Sequence, residues 1–399
     1  MNRYKLNNGL NIIEFKRDSA IVTIQATVKV GSNNETKNNG GISHFLEHIV
    51  FEGTKKRTSA EIANSIEGLG GDISAFTSNE TTGFFIKIIK KHFEKALEIL
   101  SDILINPTFT EKAIEQERKI ILSEIKMVTD QPRQYQWILF CKALFKKYPA
   151  KNPIYGTEQS VNALQRKDLL EYFQKYYTSQ NTIISVVGNI PQLKEKIEKY
   201  FGKMDSNKVN DSFTEEKLNQ RSRLIEKRKI NQSYAVLGYK TPKRKESESY
   251  VFDVIRAVLG RGLSGKLFRT IRVDNALAYD VGVYHDPNIY YGVFAVYFST
   301  NKKNIQKCID LTIQEFKKLK DLTDQELIEA KQFIEGEYIL NSEDSQDFAN
   351  LIGSWELASK AEDCTDYVKK IKKVTKQDIL RVVNKYLNEN YALAVIEQN

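Results

Sequence analysis

The chain has 399 residues, 41% of them hydrophobic and 28% charged, so it is long enough for two or three domains and has neither a disordered nor a fibrous composition. Lysine plus arginine number 60 against 51 aspartates and glutamates, but this excess is spread along solvated helix faces, which disfavours nucleic-acid binding. The sequence contains no run of about 18 apolar residues, so neither a membrane span nor a membrane partner is expected.

The first clear element is a strand over residues 21–30, followed by a polar loop over 31–41 and a short helix over 43–51. Alternating apolar and polar residues predict the strand and predict that only one of its faces is buried. Ser43 and the glycines before it are signals for the start of the helix. The apolar face of the strand comprises Val22, Ile24, Ala26, Val28 and Val30.

A similar order of strand, helix, hairpin and further helices is predicted in each half of the chain. In the first half, residues 68–91 predict two strands joined by a polar turn, and residues 93–104 predict an amphipathic helix that ends before Pro107. The second half predicts a strand over 232–240, helices over 250–260 and 265–272, a hairpin of strands over 277–284 and 290–300, and long helices after it.

Between the two halves, residues 202–223 are polar and have no hydrophobic period, which is typical of a linker. The predicted fold class is therefore α+β, with two similar α/β-sandwich domains in which helices cover a largely antiparallel sheet. We expect an N-terminal domain over 1–203, a linker over 204–224 and a C-terminal domain of the same fold over 225–399.

Two of the four histidines, His44 and His48, lie one helical turn apart, with Glu47 between them. Residues at this spacing project from one face of a helix, where two imidazoles can bind one zinc ion. Glu47 can then take a proton from water without binding the ion itself. This H-x-x-E-H pattern reverses the order of H-E-x-x-H and favours a metal site over a merely solvated or buried histidine pair. The other two histidines, His92 and His285, match no motif.

A catalytic zinc normally has three protein ligands, so a third is needed. The predicted helix over 110–128 carries Glu117 and Glu124 on or beside its apolar stripe. A carboxylate on a buried face is costly unless it is paired or binds a metal. The alternative is that both glutamates lie at the edge of the buried face and pair with lysines.

The chain resembles the pitrilysin and insulin-degrading-enzyme superfamily, in particular its short members similar to mitochondrial processing peptidase. The resemblance runs from "LNNGLNIIEF" through "GGISHFLEHIVFEGT" and "VVGNI" to "TDQELIEAKQFIEGEYIL". In that family a ligand glutamate follows the motif by about the 76 residues that separate His48 from Glu124. The resemblance implies one Zn²⁺ per chain, held by His44, His48 and Glu124, with Glu117 as an acidic partner behind the ligands. It also implies two domains that close like a clamshell around an internal chamber.

The resemblance also implies roles for residues outside the metal site. The family has an Arg and a Tyr seven residues apart that contact the substrate backbone and help to stabilise the oxyanion, and Arg272 and Tyr279 match them. The family's substrate-binding strand corresponds here to Ser74, Ala75 and Phe76, with Ser74 in place of the usual Asn. A peptide can still add to that strand by main-chain hydrogen bonds, but the side-chain contact of an Asn amide is lost.

The cysteines Cys141, Cys308 and Cys364 are odd in number, far apart and without a C-x-x-C pair, which argues against a disulfide framework and against a cysteine zinc site. The first 15 residues lead almost directly into strand-like sequence, without the features of a secretory or organellar leader. We therefore expect reduced thiols and a cytoplasmic location.

The predicted function is that of a zinc-dependent metalloendopeptidase that cuts unfolded or extended peptides without ATP, with Glu47 as the general base. Two alternatives stay open: a non-catalytic core or partner subunit of a heteromeric processing peptidase, and a basic interaction module. Because one chain carries both the zinc residues and the Arg–Tyr pair, a self-sufficient chain is favoured, and we expect a homodimer.

Overall fold

The computed structural model describes residues 1–214, 216 and 219–399. It confirms the α+β class, with two compact units that each contain a mixed sheet covered by helices. The first unit comprises Met1–Lys126, Asn152–Ser212 and Leu340–Thr365, and the second comprises Met127–Lys151, Phe213–Ile339 and Asp366–Asn399.

Eleven strands form the two sheets among the described residues. Those of the first unit are β1 (Asn2–Lys5), β2 (Asn11–Phe15), β3 (Ile21–Val28), β4 (Asp72–Thr77), β5 (Thr82–Ile89) and β6 (Thr182–Val187), in the order β1-β2-β6-β3-β5-β4. Those of the second unit are β7 (Ser222–Arg228), β8 (Ser233–Thr241), β9 (Ala278–Pro287), β10 (Gly292–Thr300) and β11 (Ala392–Gln398), in the order β7-β11-β8-β10-β9.

The two sheets repeat one topology. In the first, β2 runs parallel to β6, and the pairs β6–β3, β3–β5 and β5–β4 are antiparallel. In the second, β7 runs parallel to β11, and the pairs β11–β8, β8–β10 and β10–β9 are antiparallel. The first sheet therefore differs by one added edge strand, β1, and the halves are structural repeats as predicted.

The helices follow the strands in the same order in both halves. They are α1 (Ile42–Ile49), α2 (Ser59–Glu67), α3 (Phe93–Ile105), α4 (Glu111–Asp130), α5 (Pro132–Leu144), α6 (Glu158–Ala163), α7 (Arg166–Tyr176), α8 (Leu193–Phe201), α9 (Glu248–Gly260), α10 (Ile305–Lys318), α11 (Asp324–Glu343), α12 (Ser345–Ala358), α13 (Glu362–Thr365), α14 (Tyr367–Lys373) and α15 (Lys376–Tyr386). Short 3₁₀ turns lie at Ser32–Asn34, Lys90–His92, Pro149–Lys151, Ser179–Asn181, Gly262–Ser264, Lys302–Asn304 and Leu319–Asp321.

The predicted helix over 265–272 takes a different form, because residues Phe268–Val273 are π-helical. A π-helix is rare and is frequent at functional sites. The predicted hairpin after it is present, but its first strand, β9, continues to Pro287 instead of turning before it.

Two helices pack on the sheet of the opposite half of the sequence. Helix α5 belongs to the second unit, where Leu139 and Phe140 share a buried cluster with Val236, Ala295 and Ala394. Helix α12 belongs to the first unit and packs on β3 and β6. The expected linker over 204–224 therefore separates the two sheets in sequence but does not separate the two sets of helices. Residues 215, 217 and 218 of that linker lie outside the described residues.

Strand β3 is buried on both faces, so the prediction of a half-buried strand is wrong. Its polar residues Thr23, Gln25 and Thr27 are fully buried, because α12 covers their face. Thr23 Oγ1 lies 2.7 Å from Ser345 Oγ, and Gln25 Nε2 donates to Asn350 Oδ1 at 3.1 Å. The polar face that looked solvated in the sequence thus hydrogen-bonds a helix more than 300 residues away, as buried polar groups must.

The three cysteines are free thiols in the structure, which agrees with the absence of a predicted disulfide framework. Among the described residues, no helix is both long enough and apolar enough to cross a bilayer.

His285, which had no predicted role, belongs to a buried charged network in the second unit. Its side chain is fully buried on β9, with Nδ1 2.8 Å from Asp253 Oδ1, while Arg244 Nη1 donates to Asp253 Oδ2 at 2.7 Å. Burial lowers the pKa of His285, although the Asp253 carboxylate opposes that shift. Burial alone would raise the pKa of Asp253, but Arg244 and His285 outweigh it and hold that pKa well below its usual value.

These pKa shifts predict that acid destabilises the fold. Below about pH 6.5 the unfolded chain binds a proton at His285 that the folded chain resists, so the free energy of unfolding should fall as the pH drops. Urea unfolding of the metal-free protein at pH 7.5 and 5.5 measures the effect. His285→Phe should reduce the difference between the two pH values, whereas the control His92→Phe should keep it. An undiminished difference in His285→Phe would contradict the assignment.

Candidate metal centre

The conformation and contacts of Gly41 fix the residue at which helix α1 begins. Gly41 precedes it with φ +91°, a left-handed conformation that favours glycine, and a Cβ there would lie 2.7 Å from the carbonyl oxygen of Tyr155. The Glu35 carboxylate accepts hydrogen bonds from the backbone N–H groups of Gly41 (2.7 Å) and Ser43 (2.9 Å). A carboxylate at a helix N-terminus satisfies unpaired donors there, so α1 starts where it places His44 and His48 on one face.

The structure brings His44, His48 and Glu124 together within the first unit. Nε2 of His44 and Nε2 of His48 lie 3.6 and 3.7 Å from Glu124 Oε2, and the three candidate ligand atoms lie within 4.8 Å of one another. Ligand atoms about 2.0–2.1 Å from a tetrahedral zinc are about 3.3 Å apart. Glu124 Oε2 is buried without a hydrogen-bond partner among the described residues. A metal ion would satisfy that oxygen, so these residues fit zinc.

Glu117 lies behind His48. It is buried, and its Oε2 is 3.0 Å from His48 Nδ1. When Nδ1–H donates to this carboxylate, the lone pair of Nε2 is left for a metal. In the structure, Glu117 and Glu124 pair with the two histidines. The alternative, in which both glutamates lie at the edge of the buried face and pair with lysines, is therefore wrong.

The two histidines differ electrostatically. Burial, together with the nearby His48, lowers the pKa of His44 to about 3, so its imidazole is neutral and able to bind a metal. Burial would also lower the pKa of His48, but the hydrogen bond to Glu117 and the charges of Glu124 and Glu47 outweigh it and raise that pKa. In the absence of a metal, His48 is thus the residue of this cluster that carries positive charge more readily.

The Glu47 side chain on α1 reaches strand β4. Thr77 Oγ1 donates a hydrogen bond of 2.5 Å to Glu47 Oε2. Burial raises the pKa of Glu47, and Glu124 adds to the rise, while Thr77 and His48 oppose it. A carboxylate with a raised pKa is a stronger base than an exposed one.

Tyr155 is part of this site, although no motif in the sequence pointed to it. Its ring meets the ring of His44 edge-on, with centroids 4.9 Å apart and planes at 84°. Burial raises the pKa of its phenol, and the charges of Glu124 and Glu47 add to the rise. Neither periodicity nor spacing could have found it, because Tyr155 lies in an irregular segment between α5 and α6.

Ser74, Ala75 and Phe76 lie on β4, the last strand of the first sheet, which among the described strands pairs only with β5. An edge strand presents unpaired N–H and C=O groups to which a peptide can add. Phe76 lies across Gly83 of β5, since a Cβ at Gly83 would be 2.3 Å from the Phe76 ring. The residue Gly83 therefore makes room for the Phe76 side chain on one face of the edge strand.

Arg272 and Tyr279 lie together in the second unit. Arg272 is in the π-helical segment, and its guanidinium carbon lies 4.3 Å from the centroid of the Tyr279 ring and 4.9 Å from that of Phe268. Tyr279 is 71% exposed. The sequence indicated the Arg–Tyr pair but not Phe268, whose ring also contacts the guanidinium.

Comparison with known protein families finds matches to two successive segments of the chain. Residues 12–158 match the insulinase family of peptidases, Peptidase family M16, and residues 163–334 match the Peptidase M16 inactive domain. Among the described residues, the metal-ligating group in the first unit is the one group of three or more His, Cys, Asp and Glu residues that could hold a metal ion.

Full-length relatives and solved structures agree with this match. The chain is 32% identical to an uncharacterized zinc protease, YmxG, from Bacillus subtilis and 30% identical to an uncharacterized zinc protease from Rickettsia bellii, in each case over 99% of this chain and 97% of the relative. A protease from Helicobacter pylori has the same fold, with a TM-score of 0.93 at 24% identity over 99% of both chains. So has a peptidase M16 inactive domain from Pseudomonas fluorescens, with a TM-score of 0.92 at 17% identity over 100% of this chain and 98% of that chain. The chain therefore belongs to peptidase family M16, within the pitrilysin superfamily.

Proposed function

We propose that this protein is a zinc-dependent metalloendopeptidase that hydrolyses unfolded or extended peptides without ATP. The observation that carries the proposal is the convergence of His44, His48 and Glu124, with Glu47 on the same helix left outside the ligand group. The names of the relatives support a zinc peptidase at the level of the family. They do not give the substrate, which is proposed here from the site.

In the proposed mechanism, His44, His48 and Glu124 hold one zinc ion per chain, and Glu117 fixes the ring of His48. When bound, zinc polarises a carbonyl oxygen and makes water a stronger acid. Glu47 takes the proton from the attacking water and then gives it to the leaving amine. Its raised pKa suits both steps, because the carboxyl must accept a proton and release it again near neutral pH.

We propose that the peptide adds to β4 as an extra antiparallel or parallel strand along Ser74, Ala75 and Phe76. Only an extended chain can pair with an edge strand, which is why folded proteins are expected to be poor substrates. The Ser74 hydroxyl offers one donor where an Asn amide would offer two. Arg272 and Tyr279 are proposed to contact the substrate backbone, a role that rests on the family resemblance alone.

A non-catalytic subunit is the main rival. Such a subunit needs neither the base nor a complete ligand set, yet His44, His48 and Glu124 lie together and Glu47 is present, half-buried, on the same helix as the two histidines. Residues 163–334 match the inactive domain, and the described residues of that segment contain no group that could hold a metal ion. The match is therefore no argument against a catalytic role for His44, His48 and Glu124, which lie outside it. The homodimer and the cytoplasmic location stay predictions.

The metal assignment predicts about one zinc per chain. His48→Ala should lose most of the zinc, because two remaining ligands rarely hold the ion. Elemental analysis after gel filtration measures the stoichiometry, with His92→Ala as the matched control. Full zinc retention in His48→Ala would place the ion elsewhere.

The base assignment predicts that binding and catalysis can be separated. Glu47→Gln should keep its zinc, because Glu47 is not a ligand, while hydrolysis of a quenched fluorescent peptide should fall by about 10² to 10⁴. Glu52→Gln, on the same short stretch of chain, is the control for a lost carboxylate. Near-normal turnover by Glu47→Gln would mean that another group acts as the base.

The role carried over for Tyr279 predicts a loss in the catalytic step. Tyr279→Phe keeps the ring over Arg272 and removes only the hydroxyl, so zinc content and thermal stability should not change, while turnover should fall by about 10² to 10³. Tyr284→Phe, on the same strand, is the control. Unchanged turnover in Tyr279→Phe would leave the second unit without a part in the chemistry.

A further inference from the structure

Thr77 is the last residue of β4, the strand proposed to receive the peptide, and it is neither a metal ligand nor part of any motif that the sequence revealed. Its hydroxyl nevertheless reaches Glu47 on α1 and donates a hydrogen bond of 2.5 Å to Oε2. Hydrogen bonds from a hydroxyl to an ionised carboxylate are short and strong. Thr77 thus ties the end of the substrate strand to the helix that carries the base.

We propose that Thr77 is a positioning residue that fixes the Glu47 carboxylate relative to the substrate strand. The proposal rests on the function proposed above for Glu47. With Oε2 engaged by Thr77, the second oxygen, Oε1, is the one left to accept a proton. The Thr77 side chain is proposed to act on the reaction through the Glu47 carboxylate, to which its hydroxyl donates.

The backbone of Thr77 is firmly held, which a positioning residue requires. It pairs with Thr82 of β5, and the Thr82 hydroxyl donates to the carbonyl oxygen of Val30 at 2.8 Å in a buried setting. The turn that follows is closed by Ser78, whose backbone N–H donates to the Thr81 carbonyl at 2.8 Å and whose hydroxyl donates to the same oxygen at 3.1 Å. The Thr77 hydroxyl is therefore presented from a rigid hairpin end.

In this arrangement, strand β4 positions both the base and the peptide. A peptide that pairs with β4 is placed by main-chain hydrogen bonds to residues 74–77, and the base is placed by the side chain at the end of that run. A glutamate has three side-chain torsions, and leaving them free would spread the carboxylate over several positions. The Thr77 hydroxyl removes that freedom without using a metal or a second charge.

Thr77→Val tests the hydroxyl alone, because valine has the same shape and the same preference for strands. We expect kcat to fall by roughly 10- to 100-fold, the usual effect of removing a partner behind a site residue. KM, zinc content and the thermal midpoint should not change. Thr77→Ser keeps the hydroxyl and should restore most of kcat. Thr81→Val, in the same hairpin, removes a hydroxyl that does not reach Glu47 and serves as the matched control.

A double-mutant cycle separates positioning from a general structural role. In a Glu47→Gln background, Thr77→Val should cause little further loss, because the carboxylate that it positions is already absent. Glu47→Gln should also bind a fluorescent peptide equally tightly with and without the added Thr77→Val substitution, which gives a readout independent of turnover. Additive losses in the cycle, or weakened peptide binding, would overturn the proposal.

The outcomes also separate this proposal from the proposed function. If Glu47→Gln keeps full activity, then Glu47 is not the base and the mechanism fails, whatever Thr77 does. If Glu47→Gln is inactive with its zinc retained, while Thr77→Val is as active as the parent, the mechanism stands and only the role of Thr77 is refuted.

Discussion

The candidate site depends on the constraint that carboxylates on a buried helix face need a cation. Helix α4 places Glu117 and Glu124 two turns apart against α1, where both meet histidines instead of lysines. Without a metal, this leaves one protonatable imidazole, His48, facing two carboxylates and leaves Glu124 Oε2 with no hydrogen bond among the described residues. A divalent ion held by His44, His48 and Glu124 would resolve the imbalance, so the same residues that could hold the ion also determine whether the charges between α1 and α4 are balanced.

The second half of the chain meets the same constraint differently. The order of strand, helix, hairpin and two helices makes α9 the counterpart of α1 and α11 the counterpart of α4. Glu337 is the fourteenth residue of α11, as Glu124 is of α4, and it pairs with Arg256 of α9. The counterpart of Glu117 by the same count is Ala330, which is buried. In the second half, the guanidinium of Arg256 thus neutralises the carboxylate of Glu337. Because arginine stays protonated, no metal ion is needed to balance that carboxylate.

Local patterns in the sequence predicted most of the elements and the placement of His44 and His48 on one face of a helix, because period and spacing are local properties. The helix over 43–51, the helix over 110–128 and the paired strands of each half all have counterparts in the structure. Contacts between distant segments could not be predicted in this way. Nothing in residues 21–30 shows that α12 will cover their polar face, and nothing near Tyr155 or Thr77 shows that they contact His44 and Glu47.

The packing of α5 and α12 on the sheet of the other half of the sequence is a further contact between distant segments that local patterns could not predict. Each helix covers a face of the sheet that the other half of the sequence forms. The polar residues Thr23 and Gln25 therefore have partners on α12, and the apolar residues of β8, β10 and β11 have partners on α5. An isolated first half of the sequence would lack α12 and expose that face of β3. Each sheet therefore needs a segment from the other half to complete its burial, and the unit that carries the candidate metal site includes residues from both halves of the chain.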